Sequence, residues 1–321
     1  MALKVAMLGC GGIGKNHHAP AFHKTEGVEI VAACDLKEDL AKALAGDYDV
    51  PWYTDAATML EKEEIDVVDV ATNETVRPAP LIQCLKAGKH VFTEKPLAGV
   101  KGQYNVEESD LQLAREVMDV WRASGKFFGI NFNYRTAPHA KPMKAAIDAG
   151  EFGDPVMINV FAHLACWSHV IDLMRWFNGD VVELTGYMSA DKSDRDRSAA
   201  LKFANGSIGS LVGSCKLNWS HPLLRIEYVG TKARGTIEDL TGEFRIRVND
   251  QPEKVAWGPP DGNFRGDFSG TFTNSVMNYA SAVRDGKEPP VTGLDAYREL
   301  EIDAAIPMSA ERNAPVKIEL Y

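Results

Sequence analysis

Residues 4–14, KVAMLGCGGIG, place a short apolar run directly before a Gly-x-Gly-x-x-Gly pattern. A helix-like stretch follows at residues 16–24, and a second apolar run, EIVAACD, ends at an acidic residue about 20 positions farther on. In a dinucleotide-binding βαβ unit the first glycine permits the tight turn, the second lets the backbone approach the pyrophosphate, and the third lets helix and strand pack closely. The phosphates then lie at a helix N-terminus. The pattern predicts cofactor contacts at Gly9, Gly11, Gly12, Ile13, Gly14 and Asp35.

The acid that ends the second run also bears on which dinucleotide binds. Asp35 can accept hydrogen bonds from the adenosine ribose, and its charge repels a 2′-phosphate. Lys37 lies two residues on and would tolerate that phosphate. The sequence therefore favours NAD and leaves NADP open.

Composition limits the class of protein. The chain has 321 residues, which favours two domains, and its net charge of -10 argues against a nucleic-acid partner. No apolar run approaches the roughly 20 residues of a membrane span, and the beginning of the sequence carries no export signal, so we expect a cytoplasmic protein. Its five cysteines are spread without a C-x-x-C pair. They indicate reduced thiols, with neither disulfides nor a metal site.

The pattern of apolar runs changes along the chain. Up to about residue 125, strand-like runs alternate with amphipathic stretches, which predicts a doubly wound parallel sheet of the Rossmann type. Beyond it come two helix-like segments and then many β-branched runs, with turns predicted at Asn205-Gly206, Gly230-Thr231 and Thr241-Gly242. We therefore predict an α/β fold with a cofactor domain at 1–125 and an α/β domain at 126–321 that has a large, mostly antiparallel sheet. One sheet face is left for a partner subunit, and a C-terminal helix is expected to pack back on the first domain.

Several further strings match one family. Glu94-Lys95-Pro96 ends a strand, NFNYR occupies residues 131–135, SHVIDLMRWF occupies 168–177, and the C-terminal segment AVRDGKEPPVTGLDAYRELEI begins at residue 282. With the glycine pattern, the chain resembles the glucose-fructose oxidoreductase/inositol dehydrogenase/MocA family nearly from end to end. The resemblance implies an NAD- or NADP-dependent dehydrogenase of sugars, polyols or related compounds that forms homodimers or homotetramers through its C-terminal sheet.

The resemblance also implies roles for individual residues. Lys95 is expected to orient the substrate and take part in proton transfer, and His169 is expected to accept the proton of the substrate hydroxyl. Oxidising an alcohol by hydride transfer needs such a base and a positive group. Asp172 lies on the same helix face as His169. Thr72, Asn73 and Glu94 are expected at the cofactor.

The chain also departs from the family pattern. Ala165 stands where relatives often carry an aspartate, and the candidates to fill that gap are Tyr134, Arg135, His163 and Trp167. Together with Asp172, the residues Tyr134, Arg135 and Trp167 are our predicted substrate contacts, and Trp219 is a weaker candidate. Arg77 indicates either a charged substrate or an ion pair with Glu74. Residues 99–110 form a longer loop than is usual, which predicts a cover over the site or a subunit contact.

Two other functions stay open at this point. In the first, a retained NAD oxidises a sugar transiently so that a glycosidic bond can be cleaved. In the second, the protein is a regulator that binds dinucleotide and sugar without turnover, as the alanine at position 165 would allow.

Overall fold

The structure is a computed structural model that describes residues 2–191, 195–216, 222–240, 242–259 and 268–320. It divides into two compact units. The first comprises Met1–Phe132 and Phe272–Tyr297, and the second comprises Asn133–Thr271 and Arg298–Tyr321. Two sequence predictions, for Trp219 and Thr241, concern positions outside the described residues.

In the described part of the first unit, six strands form a parallel sheet in the order β3-β2-β1-β4-β5-β6. Because helices cover both faces of such a sheet, its central strands are mostly apolar, and β4 is buried at every position. The predicted Rossmann sheet is confirmed. Its strands are β1 (Leu3–Leu8), β2 (Val28–Cys34), β3 (Trp52–Tyr53), β4 (Val67–Val70), β5 (His90–Thr93) and β6 (Phe128–Ile130).

The helices of this unit follow the predicted amphipathic segments. They are α1 (Ala19–Lys24), α2 (Glu38–Tyr48), α3 (Ala56–Lys62), α4 (Pro78–Lys86) and α5 (Glu108–Ser124). A late helix, α8 (Phe268–Arg284), adds Val276 and Tyr279 to the same core as Phe22 and Phe92. The Tyr279 and Phe92 rings lie 4.7 Å apart. Helix α8, although distant in sequence, therefore completes the hydrophobic core of the first unit.

In the described part of the second unit, nine strands form one sheet in the order β14-β13-β12-β11-β7-β10-β9-β8-β15. The strands are β7 (Pro155–His163), β8 (Val181–Met188), β9 (Arg197–Phe203), β10 (Ile208–Ser214), β11 (Leu224–Gly230), β12 (Ala233–Glu238), β13 (Phe244–Val248), β14 (Lys254–Trp257) and β15 (Val316–Lys317). Its helices are α6 (Ala140–Asp148) and α7 (Trp167–Asn178), and α9 (Gly293–Arg312) contributes from Arg298 onward.

The described pairs of this sheet are antiparallel except for β7 and β10, which run parallel, so the mostly antiparallel sheet is confirmed. Two predicted turns lie where the strands reverse. Asn205-Gly206 joins β9 to β10, with Gly206 at φ 88°, and Gly230-Thr231 joins β11 to β12.

One face of the sheet is covered closely. A Cβ on Gly213 of β10 would overlap the Trp167 ring of α7, and a Cβ on Gly186 of β8 would lie 2.6 Å from the carbonyl oxygen of Ile306 in α9. Glycine at these two positions lets the helices approach the strands. Among the helices of the described ranges, none has the length and apolar character that a bilayer crossing requires.

Candidate active site

The glycines of the turn after β1 differ in how much space surrounds them. Gly9 has φ 100°, and a Cβ there would lie 2.7 Å from the backbone carbon of Ala71. A Cβ on Gly14 would overlap the carbonyl oxygen of Gly9. Gly11, by contrast, has no atom within 4 Å of such a Cβ, and Gly12 has only an Asn16 side-chain atom at 3.9 Å. Glycine at positions 9 and 14 is therefore required for the backbone packing of the turn, whereas Gly11 and Gly12 leave room for a ligand to approach the backbone.

The chain after the turn begins with a wider coil than an ordinary α-helix. Residues Gly14–His18 form a π-helical turn, in which the N–H of Ala19 bonds to the carbonyl of Gly14. Pro20 follows in the first turn of α1 and has no N–H to donate. Ile13, at the start of this segment, is 38% exposed.

Asp35 lies directly after β2 and is tied to the glycine turn. Its Oδ2 accepts the N–H of Cys10 at 2.8 Å, and its Oδ1 accepts the N–H of Lys37 at 2.9 Å. These bonds hold the carboxylate beside the turn, where a ribose bound there would meet it.

A second turn follows β4 at Thr72 and Asn73. Asn73 Oδ1 accepts the N–H of Thr75 at 3.0 Å and its hydroxyl at 2.7 Å, which fixes the turn. The buried hydroxyl of Thr72 has no hydrogen-bond partner among the described residues. A buried polar atom of this kind fits a site that a polar ligand completes.

Arg77 links this turn to the next strand end. Its guanidinium donates to the carbonyl oxygens of Thr72, at 2.7 Å, and Pro96. Burial lowers the pKa of Arg77 to about 10, against the opposing effect of Glu94 and Glu74. Arg77 therefore holds two loop segments together through the main chain.

Lys95 lies at the carboxyl end of β5, and its peptide bond to Pro96 is cis. Its backbone N–H donates to Glu94 Oε2 at 3.3 Å, and its Nζ donates to Gln103 Oε1 at 2.9 Å. Gln103 belongs to the long loop at 99–110. That loop therefore reaches the lysine on which the expected chemistry depends.

Behind Lys95 lies a buried cluster of His18, Asp69, Glu94 and Asn131. His18 Nδ1 lies 3.0 Å from Asp69 Oδ1, and His18 Nε2 lies 2.9 Å from Glu94 Oε1. Asn131 Nδ2 donates to the same Glu94 oxygen at 2.6 Å. A ring flanked by carboxylates on both nitrogens donates from both only as an imidazolium. His18 is thus a buried cation.

The acid–base properties of His18 and Glu94 agree with this geometry, whereas burial raises the pKa of Asp69 and the charge of His18 opposes that rise. Burial alone would lower the pKa of His18, but the charges and hydrogen bonds of Asp69 and Glu94 outweigh it and raise that pKa to about 10. Burial would likewise raise the pKa of Glu94, yet His18, Lys95 and Asn131 bring it down to about 2. Glu94 is therefore ionised at neutral pH.

In the second unit, His169 is buried on α7 and stacks on Tyr134. The two rings lie 4.1 Å apart at an interplanar angle of 12°. Tyr134 in turn donates its hydroxyl to Cys166 Sγ at 3.3 Å, and burial raises the pKa of this phenol well above its ordinary value. These contacts fix the plane of the imidazole.

Arg135 and Asp172, both predicted substrate contacts, bond to each other. Arg135 Nε donates to Asp172 Oδ2 at 2.8 Å and its Nη2 to Oδ1 at 2.5 Å. The pair is buried, and the guanidinium also lies 5.8 Å from the ring centre of Trp176. This two-point ion pair joins the turn at 133–136 to α7.

Trp167, a third predicted substrate contact, is 3% exposed. Its Nε1 donates to Asp303 Oδ1 at 2.8 Å, and the same oxygen accepts from Arg197 at 2.9 Å. The neighbouring Ala165 donates its N–H to His163 Nδ1 at 3.0 Å. His163 therefore caps the short turn that leads into α7.

Three residues of these arrangements escaped the sequence interpretation. Asp69 interrupts the apolar run of β4, and an acid inside a buried strand is a signal that could have been used. Gln103 and Asp303 carry no such signal, because an amide in a polar loop and an acid in a helix are ordinary.

Residues 3–131 match the profile of an oxidoreductase family with an NAD-binding Rossmann fold, and residues 162–318 match the C-terminal alpha/beta domain of that family. The scyllo-inositol 2-dehydrogenase (NAD(+)) of Bacillus subtilis is 24% identical over 99% of this chain and 97% of its own length. The D-apiose dehydrogenase of Paraburkholderia graminis is 24% identical over 98% of this chain and 90% of its own length.

A levoglucosan dehydrogenase solved in complex with NADH has the same fold, with a TM-score of 0.87, 19% identity and full coverage of both chains. The sequence match spans both halves of the chain, and the open glycine turn, the fixed Asp35 and the unpartnered Thr72 hydroxyl suit a dinucleotide. The chain belongs to the glucose-fructose oxidoreductase/inositol dehydrogenase/MocA family of oxidoreductases and is an NAD-binding member of it.

Proposed function

We propose that this protein oxidises a CH–OH carbon of a sugar, a polyol or a sugar derivative with NAD, or runs the reverse reduction. The observation that carries the proposal is Lys95, held just past the carboxyl end of β5 in the parallel sheet whose strand β1 ends at the open glycine turn. Ligands of parallel α/β sheets bind at these strand ends. The named relatives act on an inositol and on D-apiose, which supports a polyhydroxylated substrate.

The first unit holds the cofactor in this proposal. Asp35 bonds the adenosine ribose and disfavours the 2′-phosphate of NADP, while the inner glycines meet the pyrophosphate. The remaining cofactor contacts are Ile13, Thr72, Asn73, Glu94 and Lys95. When bound, the nicotinamide accepts or gives the hydride.

Lys95 and His169 handle the substrate oxygen. The Lys95 ammonium is a hydrogen-bond donor that stabilises charge developing on that oxygen, and the His169 imidazole accepts the hydroxyl proton. The stacked Tyr134 ring keeps His169 in one orientation.

The other predicted substrate contacts act with their present partners. Tyr134, buried against His169, orients that imidazole, and Arg135, Trp167 and Asp172 shape the second unit through their hydrogen bonds to each other or to the core. Of the candidates for the gap left by Ala165, Arg135 is paired with Asp172, Trp167 bonds to Asp303, and His163 accepts the N–H of Ala165 itself.

We also propose a homodimer or homotetramer that forms through the second sheet. The strand registers align Phe161, Val212, Ser198 and Tyr187 in one row across β7, β10, β9 and β8. Phe161 is 41% exposed and Tyr187 is 63% exposed. A row that exposes the large apolar side chains of Phe161, Val212 and Tyr187 on one sheet face is typical of a subunit contact. The five free cysteines support a cytoplasmic location.

The test is an initial-rate assay of NADH formation with a panel of inositols, aldoses and anhydrosugars. Turnover with added NAD that is lost in Lys95→Met supports the proposal. Purified protein that carries tightly bound NAD and cleaves a glycoside without added NAD would favour transient oxidation instead. Binding of NADH and sugar with no turnover across the panel would favour a regulator.

A further inference from the structure

The loop at 99–110 supplies a hydrogen-bond partner to the lysine of the proposed reaction. Gln103 Oε1 accepts a hydrogen bond from Lys95 Nζ at 2.9 Å. An ammonium group has three N–H donors, so this bond fixes its position and leaves two donors for a substrate oxygen.

The loop is itself held in place from two sides. Glu74 Oε1 accepts the backbone N–H of Gln103 at 3.0 Å, and Asp110 Oδ1 accepts the N–H of Val100 at 2.9 Å. Asp110 also caps the start of α5, where its Oδ2 accepts the N–H of Glu107. The Gln103 side chain therefore extends from a backbone that is fixed on both sides.

The loop also fits closely against the turn after β4. A Cβ on Gly99 would lie 3.3 Å from Glu74 Cγ, and Gly102 has φ 88°, with its N–H bonded to the carbonyl of Gly99. These two glycines let the loop bend onto Glu74. The backbone around Gln103 is therefore held by contacts with Gly99, Gly102 and Glu74.

The charged groups that face Lys95 within the first unit come from several elements. Glu94 lies next to it in sequence and is paired with His18, Glu74 is engaged by the backbone of Gln103, and Arg77 bonds to the carbonyl of Pro96. The atom that touches Nζ is a neutral amide oxygen. Such an acceptor orients the ammonium without the extra stabilisation that a carboxylate would give its charged form.

We propose that Gln103 is the positioning residue for Lys95: its neutral acceptor holds Nζ in place, so that the ammonium donates its remaining N–H groups to the substrate oxygen. The proposal rests on the role of Lys95 proposed above. It assigns the 99–110 loop a specific task in the first unit.

Two variants of Gln103 separate positioning from folding. Gln103→Ala removes the acceptor and is expected to lower kcat about 10- to 100-fold with less than about threefold change in the KM for the sugar or polyol. Gln103→Glu keeps the length and the acceptor but adds a charge that stabilises the ammonium. The limb of the kcat/KM profile that Lys95 controls is then expected to move about one unit to higher pH. Asn105→Ala, in the same loop, is the control and should leave both measures unchanged.

A direct readout needs no turnover. Acetic anhydride labels amines only in their neutral form, so the extent of Lys95 acetylation against pH, measured by mass spectrometry, follows its protonation. Gln103→Glu is expected to move that curve about one unit to higher pH. Lys101, whose side chain is 65% exposed in the same loop, serves as the internal reference and should not move.

The outcomes distinguish this inference from the proposed function. Identical Lys95 labelling curves in the wild type and Gln103→Glu would overturn the inference, as would an unchanged kcat in Gln103→Ala. Full sugar oxidation by Lys95→Met would instead overturn the proposed function, whether or not the labelling curve moves. A labelling shift together with a kcat loss in Gln103→Ala and in Lys95→Met supports both.

Discussion

Replacing His18 by glutamine should destabilise the first unit strongly. The imidazolium lies between Asp69 and Glu94 and is fully buried. A glutamine side chain donates from a single amide nitrogen and carries no charge, so it cannot satisfy two carboxylates on opposite sides. Asp69 then loses its buried counter-ion, while Glu94 keeps the hydrogen bond of Asn131 and the nearby charge of Lys95.

The size of the loss follows from the pKa of His18. That pKa is raised from 6.5 to about 10, which at about 1.4 kcal/mol per unit corresponds to about 5 kcal/mol. Breaking a buried ion pair by removing one partner costs about 3–5 kcal/mol, which is the same range. Because the folded pKa is the higher one, this stabilisation is complete below pH 6.5 and is lost as the pH rises toward 10.

Urea unfolding at pH 7 and at pH 10 measures both effects. The wild type should lose free energy of unfolding between the two pH values, and His18→Gln should start about 3–5 kcal/mol lower and lose much less over that interval. His23→Gln, an exposed position in α1, which directly follows His18, is the control and should remain within about 0.5 kcal/mol of the wild type. Adding Asp69→Asn to His18→Gln should recover part of the loss, because one uncompensated charge is removed. A loss below about 1 kcal/mol in His18→Gln, or an unchanged pH dependence, would refute the buried-cation assignment.

Three further predictions concern the same unit. Gly11→Ala should leave the melting temperature within about 2 °C of the wild type while weakening NADH binding about tenfold by fluorescence titration, whereas Gly14→Ala should lose about 1–3 kcal/mol of stability, because its Cβ has no room. Equal stability of the two variants would contradict this division. Asp35→Ser should raise the ratio of kcat/KM with NADP to kcat/KM with NAD at least about tenfold. An unchanged ratio would show that the charge of Asp35 is not what disfavours NADP. Burial raises the pKa of Glu94, but the hydrogen bond and charge of His18 outweigh burial and lower that pKa to about 2. The ionised Glu94 therefore stabilises the folded state fully above pH 4.5, and this stabilisation is lost as the pH falls toward 2. In Glu94→Gln the free energy of unfolding should therefore fall less steeply with decreasing pH below 4.5 than in the wild type. An identical slope in the two proteins would argue against the ionised, buried Glu94.

Much of the fold could be predicted because local sequence patterns specify it. Apolar runs that end at Gly9 and Asp35 predicted two strands and a cofactor-binding turn. The observed strand order, β3-β2-β1-β4-β5-β6, is the order of the dinucleotide-binding fold in which such a turn occurs. The parallel pairing of β7 with β10 was not predicted. Its two strands are separated by a helix and two other strands, and alternation within a strand does not reveal its neighbours.

The candidate site was predictable where a motif names a residue and less so where contacts decide its role. Glu94 and Lys95 stand out through their motif, but no sequence pattern indicated that His18 is a buried cation. Arg135 and Asp172 are separated by 36 residues in sequence, so only the folded chain shows that they bond to each other. Polar residues near a motif are as well suited to pairing with each other as to binding a ligand.

The most direct test of the central claim measures turnover and cofactor binding in parallel for the wild type and Lys95→Met. The account predicts that the wild type forms NADH from NAD and at least one sugar or polyol. It predicts a loss of about 100-fold or more in kcat for Lys95→Met, clearly larger than the rise in the Kd for NADH that follows from losing one proposed cofactor contact. Undiminished turnover in Lys95→Met would contradict it.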